Sequence, residues 1–426
     1  MTNDQLSLNI EHCFSGKATQ SGVSQKTCLC IAYFNQIKLS GDKVMVMKSF
    51  LGVVALLFFL SACESGPANN PVKELFGTQQ PDSVYIPDYS KGFSISYYDG
   101  VKLVHVADPW DSTAVGQYIL VGDEDAPAKY RNSKVPFIEY PVSRWTAFSS
   151  TQVVFAEKIG VLETLKSVAE PHYISNKFVQ EQLEKGAIRD VGLASAANVE
   201  VLLESAPEFI FVSPFKDNRY GQLQEAGLLI INDCGYIEAS PLGRAEWMVF
   251  FSTFFNKEDT ARTIFSGIVS RYRDVQQVVA NSEQKPSILT GTLFNDIWYI
   301  PAGDSYMATF FEDAGTRYAY RDRSGTGSFA LDFETVFHDF RESDFWLITV
   351  NHDGKFSKDD FLQMDERYAD FQSFQENRVV FSNTDYSMFF EKGIVEPDVI
   401  LKDLASCFHP GLYPDYEPVY FEFLND

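Results

Sequence analysis

KEDTARTIFSGIVSRYRDVQQVVAN, residues 257–281, decides the architecture. Ala261, Ile264, Phe265, Ile268, Val269, Tyr272, Val275 and Val279 recur at steps of three and four, which is one stripe of an amphipathic helix. At 1.5 Å per residue, a helix over 258–281 is about 36 Å long. That exceeds the need of a single lobe and suits a strut crossing between two.

Both flanks carry lobe-like material. From residue 135 onward, short apolar strands alternate with helical stretches: RWTAFS (144–149) and a helix from Thr151, then RDVGL (189–193) and a helix from Asn198. FIFVSPF (209–215) and LLIIND (228–233) follow in the same manner. Beyond the strut come SILTGTLF (287–294), IWYIPA (297–302), a helix over 305–314, DFWLITV (344–350), RVVFSN (378–383) and a last helix from Glu396. Such alternation predicts parallel α/β sheets. NVEVLLESAPEFIFVSP (198–214) and DFETVFHDFRESDFWLITV (332–350) share a plan, with a Glu opening a short helix and an acidic turn leading into an apolar strand. One unit is used twice. Ahead of residue 135, FSISYYDGVKLVHV (93–106) alternates about Asp99-Gly100, a hairpin signal. With QYILVGDE (117–124) it predicts a β-rich extension that shows no chemistry.

MKSFLGVVALLFFLSACESG, residues 47–66, has a basic Lys48, an apolar run over 50–60 and small residues before Cys63, the order of an export signal. The run is too short to span a bilayer. Residues 1–46 show no apolar periodicity, so translation is expected to start at Met47. Leu60-Ser61-Ala62-Cys63 resembles the lipobox of bacterial lipoproteins, which implies diacylation of Cys63 and a stable membrane anchor.

The formal net charge of −23 argues against nucleic acid or an anionic membrane surface as partner. Aromatic residues make up 15% of the chain; most belong to cores, and a few in loops suit a large, flat ligand. Cys234 and Cys407 remain after the leader and the anchor, and spacing does not say whether they pair.

The stretch from about Pro136 to the end resembles the substrate-binding proteins of ABC importers joined by one long helix, the ferric-siderophore, haem and cobalamin binding family. WTAFSSTQVVFAEKIGVLETLKSVAEPHY (145–173), IRDVGLASAANVEVLLESAPEFIFVSP (188–214), IPAGDSYMATFFEDAGTRYAY (300–320) and ENRVVFSNTDY (376–386) carry the likeness. Glu208 and Thr316-Arg317 depart from the family's usual residues. The resemblance implies an α/β fold of two Rossmann-like lobes joined by one long helix, with the N-terminal β-rich extension added. The expected divisions are 1–46, a signal peptide over 47–62, a tether over 63–84, the extension over 85–135, lobes over 136–257 and 282–426, and the helix over 258–281.

The resemblance further implies capture of a metal chelate between the lobes and delivery to an ABC permease, with no catalysis and no resident cofactor or metal. A ferric siderophore is the leading cargo, with cobalamin as the alternative and haem behind it. Glu200 and Glu334 would dock into permease arginines, one per lobe. Ligands of such folds sit at strand carboxyl ends. The candidates there are Ser150, Thr151, His172, Tyr173, Ser195, Phe215 and Tyr236 in the first lobe, and Trp298, Ser305, Tyr306 and Tyr386 in the second. The protein is expected to be a monomer, exported and held to a membrane only through its lipid. Arg321 and Arg323 either meet an anionic chelate or face solvent, with solvent favoured.

Rival classes fare worse. No G-x-S-x-G, P-loop or dinucleotide fingerprint is present. Five histidines spread from His105 to His409 form no metal-binding cluster. Thr349–Asp360 imitates a calcium loop, but Thr holds its first position and a strand precedes it. A purely structural surface lipoprotein would not need a strut and paired lobes.

Overall fold

A computed structural model describes residues 71–110, 115–122, 128–215 and 220–425. Residues 1–46, the 47–62 signal and Cys63 lie outside the described residues. Residues 79–426 belong to one compact unit. The described part of the other, residues 71–78, holds a short helix, Pro71–Phe76.

The first sheet runs in chain order: β1 (Ser83–Tyr85), β2 (Phe93–Tyr98), β3 (Val101–Ala107), β4 (Val115–Val121) and β5 (Phe137–Glu139). Tyr98 pairs with Val101 around the Asp99-Gly100 turn, where Gly100 takes φ +68°. The alternation in β2 buries Phe93 and Ile95, and Phe93 packs on Trp247 and Phe250 of the helix Pro241–Thr253.

The second sheet is wholly parallel: β6 (Trp145–Ala147), β7 (Leu165–Val168), β8 (Arg189–Asp190), β9 (Phe209–Val212) and β10 (Ile230–Asn232), ordered β10-β9-β6-β7-β8. The chain runs outward from β6 through β7 to β8, then returns to the other side of β6. This reversal opens a crevice beyond the carboxyl ends of β6 and β9.

In the second lobe β11 (Ile288–Thr290), β15 (Phe345–Val350) and β16 (Val379–Asn383) are parallel, with β17 (Glu422–Phe423) antiparallel at the edge. The 297–302 segment departs from the expected parallel set. It forms an antiparallel ribbon of β12 (Leu293–Phe294), β13 (Ile297–Pro301) and β14 (Ser328–Leu331). Asn295 and Asp296 both take positive φ, +49° and +62°, so the two-residue turn has the twist that antiparallel strands require.

The strut is the helix Glu258–Ala280, of 23 residues. Ala261, Phe265, Ile268, Tyr272, Val275 and Val279 form its buried stripe. It packs on Pro241–Thr253 in the first lobe and on Pro397–Phe408 in the second. The two-lobed α/β fold with one long helix and an N-terminal β-sheet is therefore the fold of the chain. Cys234 and Cys407 are buried free thiols.

The strut begins at a dry ion pair. Lys102 Nζ of β3 lies 2.5 Å from Glu258 Oε1, and both side chains are 7% exposed. Lys102 also donates to Asn256 Oδ1 at 3.1 Å and lies 3.8 Å over the Tyr140 ring. Removing one member strands the other charge out of water. Lys102→Ala should lower stability in urea denaturation by about 3–5 kcal/mol, whereas the paired Lys102→Met, Glu258→Leu replacement should recover most of that loss. Equal losses for single and double variants would show that the pair is not coupled.

Candidate functional site

Ser149 ends the segment after β6 and caps the helix Ser150–Ile159, its Oγ accepting from Thr151 N. Gln152 answers from inside the first turn, its Oε1 accepting from Phe148 N at 2.9 Å and Ser149 N at 3.2 Å. Gln152 is fully buried, and its Nε2 donates to Asp233 Oδ2 at 3.2 Å. Asp233 follows β10, accepts from Gly235 N and has its carboxyl pushed up by burial. This buried pair locks the loop after β6 to the loop after β10. Of the expected hydroxyls, Ser150 is the first helical residue and Thr151 Oγ1 lies 2.9 Å from Ser149 Oγ.

Phe215 and Tyr236 come together, with ring centroids 5.8 Å apart and Tyr236 OH donating to Pro214 O. Beside them Tyr220 packs edge-on against Phe148 at 5.6 Å. His172 and Tyr173 form a ring pair 3.9 Å apart in the turn Pro171–Tyr173. His172 is exposed and lines an open depression of about 570 Å³ with Gln180 and Arg189. Ser195 is exposed in the turn Ala194–Ala196.

In the second lobe Ser305 is buried and spends its Oγ on capping the helix Tyr306–Asp313, accepting from Ala308 N at 3.2 Å. Tyr306, the next residue, lies under the guanidinium of Arg244 from the first lobe, 3.9 Å away. Tyr386 is exposed and donates to Glu422 Oε1. Trp298, expected at the ligand, belongs to the core instead. It is 0% exposed, donates to Thr290 O and packs against Trp346 and Tyr368. Arg321 pairs with Glu312, and Arg323 lies over the Tyr320 ring.

Several contacts join the two lobes. Besides Arg244 on Tyr306, Thr309 Oγ1 donates to Ala239 O at 3.2 Å. Lys158 meets Glu396 at 2.9 Å. Glu391, only 6% exposed, accepts from the amide and hydroxyl of Ser175, two residues past Tyr173. The sequence carries no local sign of Glu391 or Arg244 as site residues, because each gains its meaning from a partner far along the chain.

Glu200 and Glu334 are exposed, and their surroundings repeat. Asn198 caps the helix Val199–Ser205 and Asp332 caps Phe333–Phe340, placing each Glu second in its helix. Glu334 borders an open cavity of about 580 Å³ with Phe333, Phe337, Arg341 and Arg367. Arg367 is stacked on Phe333 and doubly bonded to Asp365. Among the described residues no group of three His, Cys, Asp or Glu could hold a metal ion, and no helix is long and apolar enough to cross a membrane.

Glu391→Ala removes the acceptor that holds the Ser175 amide. Bonds to a charged acceptor contribute about 1.5–3 kcal/mol. Hydrogen exchange over 171–176 should therefore accelerate at least about tenfold, with the strut unaffected. Unchanged protection at Ser175 would show that Glu391 does not hold this loop.

A family model described as a periplasmic binding protein matches residues 149–386, from the Ser149 cap to Tyr386 beyond β16. The uncharacterized lipoprotein MJ0878 of Methanocaldococcus jannaschii is 26% identical over 410 residues, covering 88% of this chain and 96% of its own. A second lipoprotein of that organism, MJ0872, is 23% identical over 337 residues, covering 74% of this chain and 84% of its own. Among solved structures, a periplasmic binding protein from Veillonella parvula superposes with a TM-score of 0.52 at 12% identity, over 72% of this chain and 98% of that one. An ABC transporter substrate-binding protein from Listeria monocytogenes gives 0.50 at 14% identity, over 63% and 99%. These structures share the fold. With the family model spanning more than half of its length, the chain belongs to the periplasmic binding protein family.

Proposed function

We propose that this chain is the solute-binding lipoprotein of an ABC importer, capturing a ferric siderophore or a similar metal chelate between its lobes and handing it to a permease. One observation carries this: the helix starts that follow β10 and β13 meet from opposite lobes, Arg244 lying over Tyr306 and Thr309 donating to Ala239 O. Aromatic faces at Tyr173, Phe215, Tyr236 and Tyr306 suit a flat or conjugated chelate, and the hydroxyls of Ser150 and Thr151 can orient it. Cobalamin is the alternative cargo, and haem ranks behind it. A bare divalent metal fits poorly, since the described residues lack a ligand cluster.

In this scheme residues 136–257 and 282–426 are the binding lobes and 258–281 the strut. The tether expected over 63–84 stops short of β1 at Ser83, and the stretch before it would link the protein to a membrane through acylated Cys63. The names of the two archaeal relatives support the anchor. The protein works as a monomer until it meets its permease.

The cargo is tested by quenching of tryptophan emission in the soluble form lacking the anchor, titrated with ferric chelates, cobalamin, haemin and free divalent metals. Trp145, Trp247, Trp298 and Trp346 are all buried, so coloured ligands report by energy transfer rather than by contact. Saturable submicromolar binding of one chelate is expected. Silence across the panel, or a response to bare metal alone, overturns the proposal.

Docking is tested separately. Glu200→Arg together with Glu334→Arg replaces two attractive contacts by two repulsive ones, each worth about 1.5–3 kcal/mol when hydrogen-bonded to charge. Uptake should fall more than about tenfold while chelate affinity stays unchanged. Uptake that survives the double reversal would remove both residues from the docking surface.

A further inference from the structure

Glu170 lies two residues past the end of β7 and holds a left-handed backbone, φ 51° and ψ 53°. A residue with a long side chain rarely adopts this conformation, and it persists where the surroundings impose it. Its amide donates to Gly192 O and its carbonyl accepts from Tyr173 N, so the strained residue starts the turn that presents His172 and Tyr173. The Ser175 end of this turn is held by Glu391 across the lobes. The loop is thus fixed at both ends before any cargo arrives.

The Glu170 side chain is half-buried, and among the described residues nothing donates a hydrogen bond or an ion pair to its carboxylate. Burial raises its carboxyl above the usual range, with His172 pulling the other way. The phenols of Tyr173 and Tyr220 both feel its charge. Tyr220 spends its hydroxyl on Ser213 O, and its own backbone is left-handed at φ 55°. Among the described residues, Arg189 pairs with Glu204, and Arg244 lies over Tyr306 and donates to Glu238 O. A half-buried carboxylate still open to solvent gains when a cationic or donating partner replaces the water it would otherwise hold.

We propose that Glu170 is a specificity-determining residue of the crevice, completed by a cationic or hydrogen-bond-donating group of the cargo. The inference rests on the proposed chelate-binding function and deepens it. The fitting class is an uncharged or cationic chelate, such as a ferric trihydroxamate or an amide-bearing corrinoid. A ferric tricatecholate or a porphyrin with free carboxylates would set negative charge against Glu170.

The test titrates the wild-type protein, Glu170→Gln and Glu170→Gly with five probes. These are a linear ferric trihydroxamate bearing a free ammonium, an uncharged cyclic ferric trihydroxamate, cobalamin, a ferric tricatecholate and haemin. An uncharged or cationic probe should bind the wild type at least about 100-fold more tightly than either anionic one. Glu170→Gln should weaken the preferred probe about tenfold or more and narrow its lead over the tricatecholate. Glu170→Gly should relieve the left-handed strain, raising the melting temperature while lowering affinity. Tighter binding of the tricatecholate or haemin, or unchanged affinities in Glu170→Gln, overturns the inference and leaves the importer function standing. Failure of every chelate to bind overturns the importer function itself, and this inference with it.

Discussion

The helix Glu258–Ala280 is the constraint on which the rest depends, because one buried stripe serves two cores at once. Each large apolar side chain on it, such as Phe265 or Ile268, contributes about 2 kcal/mol of burial. Polar ties fix it along its length. Glu258 meets Lys102 at the start, Arg271 meets Asp398 at 2.5 Å, and Tyr272 donates to Asp313 at 2.5 Å. At the far end Val279 presses on Gly315, where an added Cβ would come within 2.5 Å of Val279 Cγ1. A rod seated this way cannot bend without opening both cores. Large lobe movement would therefore disturb the packing of both cores.

A second tie explains what the N-terminal sheet contributes. Glu246 of the helix Pro241–Thr253 is 1% exposed and accepts from Tyr85 OH and the amides of Asp88, Tyr89 and Ser90. Glu238 accepts from the amides of Lys91 and Gly92 and from Trp247 Nε1. Four donors at Glu246 stand in for the water it has lost. The strand-to-strand passage over 85–92 is thus wrapped on the helix and on the loop that leads into it. That same loop carries Tyr236 and the Ala239 carbonyl that receives Thr309. The added sheet braces one wall of the crevice. Gly92 is required there, since a Cβ would sit 2.5 Å from the Trp247 ring.

The features that could be read from the sequence are those with a local period or a local turn. The strut announced itself by its stripe, the β2–β3 hairpin by Asp99-Gly100, and the paired Glu200 and Glu334 by a phrase used twice. Trp298 sits in the core and not at a ligand loop, because an apolar run does not say which sheet it joins. The turn that decides this, Asn295-Asp296, is short and lacks glycine. Glu391, Arg244 and Glu170 escaped notice for a different reason. Glu391 and Arg244 matter through partners in the other lobe, and Glu170 through a backbone angle that its side chain ordinarily disfavours. Long-range pairing and strain leave no spacing to find.

The distribution of carboxylates sorts the molecule into regions with different tasks. Glu246, Glu258 and Asp233 are buried and satisfied, and they hold the frame. Glu200 and Glu334 stand exposed at matching helix starts, available to an outside partner. Glu170 is the intermediate case, half-buried, strained and without a donor among the described residues. With a formal net charge of −23, the surface also repels anionic membranes and nucleic acid. A protein so charged gains nothing from lipid headgroups and needs a hydrophobic anchor to remain at a membrane, which is what an acylated Cys63 would provide. If the chain serves as proposed, the same acidity would favour a basic permease face and the uncharged or cationic cargo inferred above, one sign of charge acting at two depths.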